Sequence, residues 1–148
     1  METIDNKDSH KDTFFAPAEK AGEEEFHHGI EIISNNPVID SIIDNVSGLL
    51  AVLNQYRQVL TVNSALLRRL GFKNASETLG LRPGQVFNCI HCEEAPHGCG
   101  TTRYCSTCGA ATAIVTSLEN DKSEQRVCIM TTERDGKSMD LYVNLENP

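Results

Sequence analysis

Five of the six cysteines fall within one span of twenty residues, at Cys89, Cys92, Cys99, Cys105 and Cys108. Cys89-x2-Cys92 and Cys105-x2-Cys108 are short chelating pairs separated by twelve residues. A two-residue spacer lets both thiolates of a pair reach one ion while the intervening backbone N–H groups point at sulfur. Four soft thiolates suit tetrahedral zinc or an iron–sulfur cluster. Between the pairs, Gly98-Cys99-Gly100 places a thiol between two residues that accept positive φ and close backbone approach. Consecutive N–H groups can then cradle an anionic sulfur. Thr101 and Thr102 follow directly and can hydrogen bond to the ligands from behind. His91 and His97 are substitute ligands by proximity alone, and each reads more simply as a solvated loop residue.

Other uses of these thiols fit less well. Buried cysteines often pack as small hydrophobes, which suits Cys128 on an alternating segment beside Met130. It does not suit the other five, which sit among Gly, Pro, His and Glu. A nucleophilic cysteine needs a base and an oxyanion site, and no such pattern is present, so no enzyme is expected. A thioredoxin-type reading of Cys105-x2-Cys108 requires a strand just before the motif, where a loop is expected instead. Twenty residues without regular structure are uncommon in a compact domain. Closing them around a metal would remove that difficulty, so a purely structural zinc is a direct competitor of a reactive cluster.

The elements around the cluster read as α+β. Asn36-Pro37 is a cap and first-turn signal, and Val38, Ile39, Ile42, Ile43 and Val46 recur at helical spacing. Ser47-Gly48 ends that helix. Gly48 to Leu53 reads as a buried strand, Asn54 to Arg57 as a turn, and Gln58 to Val62 as the antiparallel partner. Asn63 or Ser64 caps a helix through Ala65, Leu66, Leu67 and Leu70, and Gly71 terminates it. Asn74 to Leu79 reads as a short helical turn, and Pro83-Gly84 breaks the chain ahead of the cysteines. Beyond them, Ala110 to Leu118 is helical. Gln125 to Glu133 alternates, Asp135-Gly136 signals a hairpin, and Met139, Leu141, Val143 and Leu145 line one side of a closing strand. The expected fold is an antiparallel sheet with short helices on one face.

The first 29 residues hold eight acidic side chains against three lysines, net −5 of the chain's −8. Such a stretch buries too little apolar surface to offset its ordering entropy, so residues 1–29 are expected to be a disordered acidic tail and residues 30–148 the domain. No basic stripe is present to neutralise phosphates, which argues against nucleic acid. Neither a membrane-length apolar run nor a secretory signal is seen. The expected location is therefore cytoplasmic, where thiols stay reduced and disulfides are disfavoured.

In order and spacing, three stretches resemble the PAS domain, the sensory module of many bacterial histidine kinases and diguanylate cyclases. Asp44 to Leu53 looks like its helical lead-in and first strand. Val59 to Leu67 looks like its second strand entering a helix, where the family often reads I-x-x-x-N-x-A. Leu79 to Gly84, with Phe87, resembles its xGxxxGxxF stretch. The similarity covers residues 37 to 147. A cysteine-rich subgroup of the family carries C…GCGT…C..CG, matched here by Cys89, Gly98-Cys99-Gly100-Thr101, Cys105 and Cys108-Gly109. The subgroup also has a later cysteine at the place of Cys128.

The two-pair arrangement resembles oxygen-sensing PAS domains that hold a cubane cluster. The subgroup pattern instead implies Cys89, Cys99, Cys105 and Cys108 as the ligands, with Cys92 contested, and this second set is preferred. Gly98, Gly100 and Thr101 would support it. A PAS sheet usually has five strands, and the resemblance accounts for four. The central strand would come from a partner, from a swapped segment such as Gly29 to Ser34, or from a longer parent protein. What the resemblance implies is a sensory or signal-transduction module for oxygen, nitric oxide or redox state. Its partner would be a histidine kinase, another signalling protein or a second copy. The alternatives are a zinc-stapled interaction module and a dithiol redox protein using Cys105–Cys108.

Overall fold

The computed structural model of the chain describes residues 15–92, 94, 98–132 and 138–145. It divides into two compact units, one of Lys20–Val86 and one made of Met1–Glu19 together with Phe87–Pro148. Helices and antiparallel strands are mixed in one chain, so the α+β class is shown.

In the Lys20–Val86 unit, α1 spans Glu23–Ser34 and α2 spans Pro37–Asn45. Within the stretch expected to be a tail, Glu23 to Gly29 are helical, while residues 1–14 lie outside the described residues. Glu23, Glu24 and Glu25 occupy the first turn, where carboxylates complement the positive end of the helix dipole. Phe26, Gly29, Ile30 and Ile33 are its less exposed positions, a 3.6-residue stripe within polar composition. A Cβ on Gly29 would lie 3.4 Å from Leu60 Cδ2, an ordinary van der Waals distance, so α1 packs against Leu60 at this position. The same helix removes Gly29 to Ser34 as a swapped strand. Asn36 caps α2 as expected, its Oδ1 accepting from the amides of Val38 (3.0 Å) and Ile39 (3.4 Å).

Strands β1 (Ala51–Leu53) and β2 (Val59–Val62) pair antiparallel, with a register shift between Val52 and Leu53. β1 is shorter than the expected Gly48 to Leu53. Helix α3 (Ser64–Leu70) begins at Asn63, which is buried and makes three bonds. Its Oδ1 accepts from Leu66 N and Leu50 N, both at 3.1 Å, and its Nδ2 donates to Gly48 O at 2.7 Å. One side chain thus caps a helix and ties it to the approach to β1. Gly71 adopts φ 77° and closes α3. A 3-10 turn covers Ala75–Glu77. Pro83 does not break the chain but opens α4 (Pro83–Val86), because a helix's first residue needs no N–H. Val59, Leu60, Val62, Leu66, Leu70 and Val86 are buried. Arg82 is buried too, and its Nε donates to Tyr56 O (3.2 Å) in the turn between the strands.

In the other unit, a 3-10 helix at Arg103–Thr107 leads into α5 (Gly109–Asn120). Ala110, Ala113, Ile114 and Ser117 form the buried stripe of α5. β3 (Glu124–Thr131) and β4 (Ser138–Leu145) pair antiparallel in unbroken register, Glu124 opposite Leu145 and Thr131 opposite Ser138. Asp135-Gly136, the expected hairpin turn, lies outside the described residues. β1–β2 and β3–β4 are separate two-stranded sheets, rather than the single sheet expected. Residues at the tail's end also belong to this unit. Ala16 is fully buried and its N–H donates to Gly100 O at 2.8 Å.

Candidate metal centre

All five clustered cysteines lie in the Phe87–Pro148 unit and none is in a disulfide. Among its described residues, the segment that carries them holds turns and a 3-10 helix. Cys89 forms an isolated bridge with Thr132, just beyond β3. Cys92 N–H donates to Cys89 O (3.1 Å) and Cys108 N–H to Cys105 O (3.2 Å), so each Cys-x2-Cys pair closes a turn. The 3-10 helix at Arg103–Thr107 carries Cys105, and Cys108 is the cap of α5. The Cys108 carbonyl accepts from Thr112 N at 2.9 Å and Thr112 Oγ1 at 2.7 Å. Phe87, Cys89 and Cys108 pack against buried Ala110, which brings the first and last cysteines into one apolar neighbourhood.

The sulfurs interact in a chain. The Cys92 thiol hydrogen bonds with both Cys89 and Cys99. Cys89 feels the charge of Cys108, and Cys105 that of Cys99. The bond from Cys92, aided by the His91 backbone N–H and imidazole, outweighs burial and lowers Cys89 to about 6. Cys92 is pushed far up, because it keeps the proton it shares with Cys89 and Cys99. Cys105 is raised chiefly by burial.

Backbone donors reach two of the sulfurs. Gly100 N–H lies 3.2 Å from Cys105 Sγ, and Thr102 Oγ1 is 3.1 Å from the same atom. The Thr102 amide adds to them. Gly98 and Gly100 adopt φ 77° and 88°, the left-handed region expected of this pair. Thr101 takes a different part from the one its sequence position implied. Its hydroxyl donates to Gly98 O (2.6 Å) and closes the turn, while Thr102 meets the sulfur. Both threonines are almost fully buried.

His91 is committed elsewhere. Its Nδ1 sits 2.8 Å from Glu94 Oε1, and its ring stacks on Tyr104 with centroids 4.1 Å apart at 17°. Sequence reasoning missed that stack, since nothing in the local pattern pairs residues thirteen apart. His97, and the side chain of Cys128, lie outside the described residues. As placed, no three Cys, His, Asp or Glu side chains among the described residues converge at ion-binding spacing. The sulfurs instead face one another as hydrogen-bonded thiols. The donors are soft, with backbone amides at Cys89 and Cys105, which is the chemistry a thiolate-held centre uses, although as placed the described sulfurs do not enclose an ion.

Among the described residues no helix is long and apolar enough to cross a membrane. Comparison with protein-family profiles, with curated proteins and with solved structures returns no match.

Proposed function

We propose that the chain is a PAS-type sensory and signal-transduction module whose cysteine loop holds an iron–sulfur cluster or zinc. Cys89, Cys99, Cys105 and Cys108 are the ligands in this reading. The observation that carries it is the gathering of five thiols in one unit, with backbone amides directed at the sulfurs of Cys89 and Cys105. Hydrogen bonds of that kind stabilise thiolate over thiol and tune a bound centre. When bound, the centre supplies either redox and gas reactivity, as an iron–sulfur cluster, or a rigid staple, as zinc.

The element order supports the scaffold. One hairpin, several short helices and a second hairpin follow in sequence. The two hairpins form separate antiparallel pairs, as in a PAS sheet counted without its central strand. Asn63, at the family's motif position, has a structural task that explains its residue type.

Signalling would pass through Gly98 to Tyr104, since residues 93 and 95–97 of the Glu93-to-Tyr104 segment lie outside the described residues. With the thiolates free, that segment loses its tether, a bistable change that a partner can read. Ile32, Val38, Ile42, Val46 and Leu49 are exposed large apolar side chains, which supports a protein partner, either a signalling protein or a second copy. No catalytic role is assigned.

Anaerobic purification of the full chain, followed by absorption spectroscopy and metal analysis, tests the reading. Brown protein with iron and labile sulfide identifies the sensor. Colourless protein with one zinc per chain identifies the staple. Protein without stoichiometric metal contradicts both.

A further inference from the structure

We propose that Cys92 is the redox trigger of the thiolate site. Oxidation by a small-molecule disulfide would join Cys92 to Cys89 and so withdraw Cys89 from the ligand set. The inference rests on reading Cys89, Cys99, Cys105 and Cys108 as the ligands, and adds how that set is dismantled.

Three observations converge on Cys92. First, the bond from Cys92 N–H to Cys89 O (3.1 Å) closes a four-residue turn. The ends of such a turn have Cα atoms within about 7 Å, and disulfides form over roughly 4.4–6.8 Å. Second, the Cys92 thiol already contacts the sulfurs of both Cys89 and Cys99. It therefore sits between two ligands without being needed as a fourth. Third, access differs between the two Cys-x2-Cys turns. Cys89 and Cys92 are half-buried, whereas Cys105 is buried and its sulfur is engaged by Gly100 N–H and the Thr102 hydroxyl. The turn from Cys105 to Cys108 has similar backbone geometry and a half-buried Cys108, but its Cys105 sulfur is buried and already engaged, so that pair closes less readily.

The Cys89 thiolate attacks one sulfur of a disulfide RS–SR, forming a mixed disulfide and releasing RS⁻. Cys92 gives its S–H proton to the released thiolate and attacks the Cys89 sulfur, expelling the second RS⁻. The Cys89 thiolate and the Cys92 thiol together lose two electrons and one proton, and the small disulfide becomes one thiol and one thiolate. Cys89 then has no thiolate to offer a metal, and three ligands remain where four are needed.

The test uses the full reduced chain loaded with zinc, which has no redox chemistry, so every electron comes from sulfur. Oxidised glutathione is added without oxygen, zinc release is followed with a colorimetric chelator, and disulfides are mapped by mass spectrometry. The expected first disulfide is Cys89–Cys92, with one zinc released for each formed. Cys92→Ala should bind zinc like the parent chain and release it about tenfold more slowly or less. The proposal is overturned if another disulfide forms first, if Cys92→Ala releases zinc at the parent rate, or if Cys92→Ala cannot bind zinc. Should the reduced parent chain take up no zinc, the ligand reading fails by itself. Mapping on the metal-free chain then decides the trigger alone, with Cys89–Cys92 first supporting it and any other first pair overturning it.

Discussion

The amide of Gly100 points at the sulfur of Cys105, five residues further along, at 3.2 Å. That bond exists because Gly100 holds φ 88°, a conformation that costs an L-residue roughly 1–2 kcal/mol. Gly100→Ala should therefore lower stability by about that amount and turn the amide away from sulfur. Its effect on the centre should exceed its effect on the fold, with metal affinity reduced by about 10- to 100-fold. Thermal melts and competitive chelator titration on the same preparations would check both.

Asn63 offers a test in the other unit. Its side chain satisfies Leu50 N, Leu66 N and Gly48 O from a buried position. Asn63→Ala leaves these groups without that partner, at about 1–3 kcal/mol for each one that water cannot reach. Urea denaturation should show a loss of roughly 2–4 kcal/mol, large for one residue. Asn63→Asp keeps the acceptor and loses only the donor to Gly48 O, so it should cost less.

Thiol reactivity should be ordered. In chelator-treated protein, Cys89 titrates at about 6 because Cys92 donates to its sulfur. Rising pH through that value converts Cys89 to thiolate, so its alkylation by iodoacetamide should climb from about pH 5 to 7 and then level. Cys92 and Cys105 are raised and should stay largely unmodified over the same range. In Cys92→Ala the largest cause of the lowering is gone, and the Cys89 profile should move toward higher pH. Peptide mapping after brief alkylation at each pH would reveal it. Equal labelling of Cys89 and Cys105 at pH 7 would contradict the geometry.

Ala16 belongs to the folded unit rather than to a loose tail. It is fully buried, and its N–H donates to Gly100 O at 2.8 Å. Its amide should exchange with solvent deuterium slowly, at a rate close to that of α5 amides. Ala16→Asp would bury a charge beside the glycine loop and should lower stability by several kcal/mol.

Much of this arrangement was legible from residue type. Asn36-Pro37, Asn63 and Gly71 announced their caps because capping chemistry is local and demands particular side chains. The glycines around Cys99 announced a positive-φ turn for the same reason. Glu23 to Gly29 misled, since composition averaged over 29 residues hid the stripe Phe26, Gly29, Ile30, Ile33. Pro83 misled because proline both ends helices and begins them, and only the following residues decide which. The Ala16–Gly100 bond and the His91–Tyr104 stack were not legible at all. Each joins residues by packing rather than by pattern, and a single sequence carries no trace of such pairings. The thiol chain through Cys92 lies between these cases: the spacing placed the residues, but only the fold put Cys92 against both Cys89 and Cys99.

The most direct measurement is X-ray absorption at the metal edge of the anaerobically purified full chain. The predicted result is one zinc or one iron–sulfur cluster per chain with an all-sulfur protein shell, at about 2.3 Å if zinc. Replacing any of Cys89, Cys99, Cys105 or Cys108 by serine should remove a sulfur from that shell, and Cys92→Ser should leave it unchanged. A metal-free chain whose five clustered thiols titrate freely, or a shell dominated by nitrogen and oxygen, would contradict the thiolate centre outright.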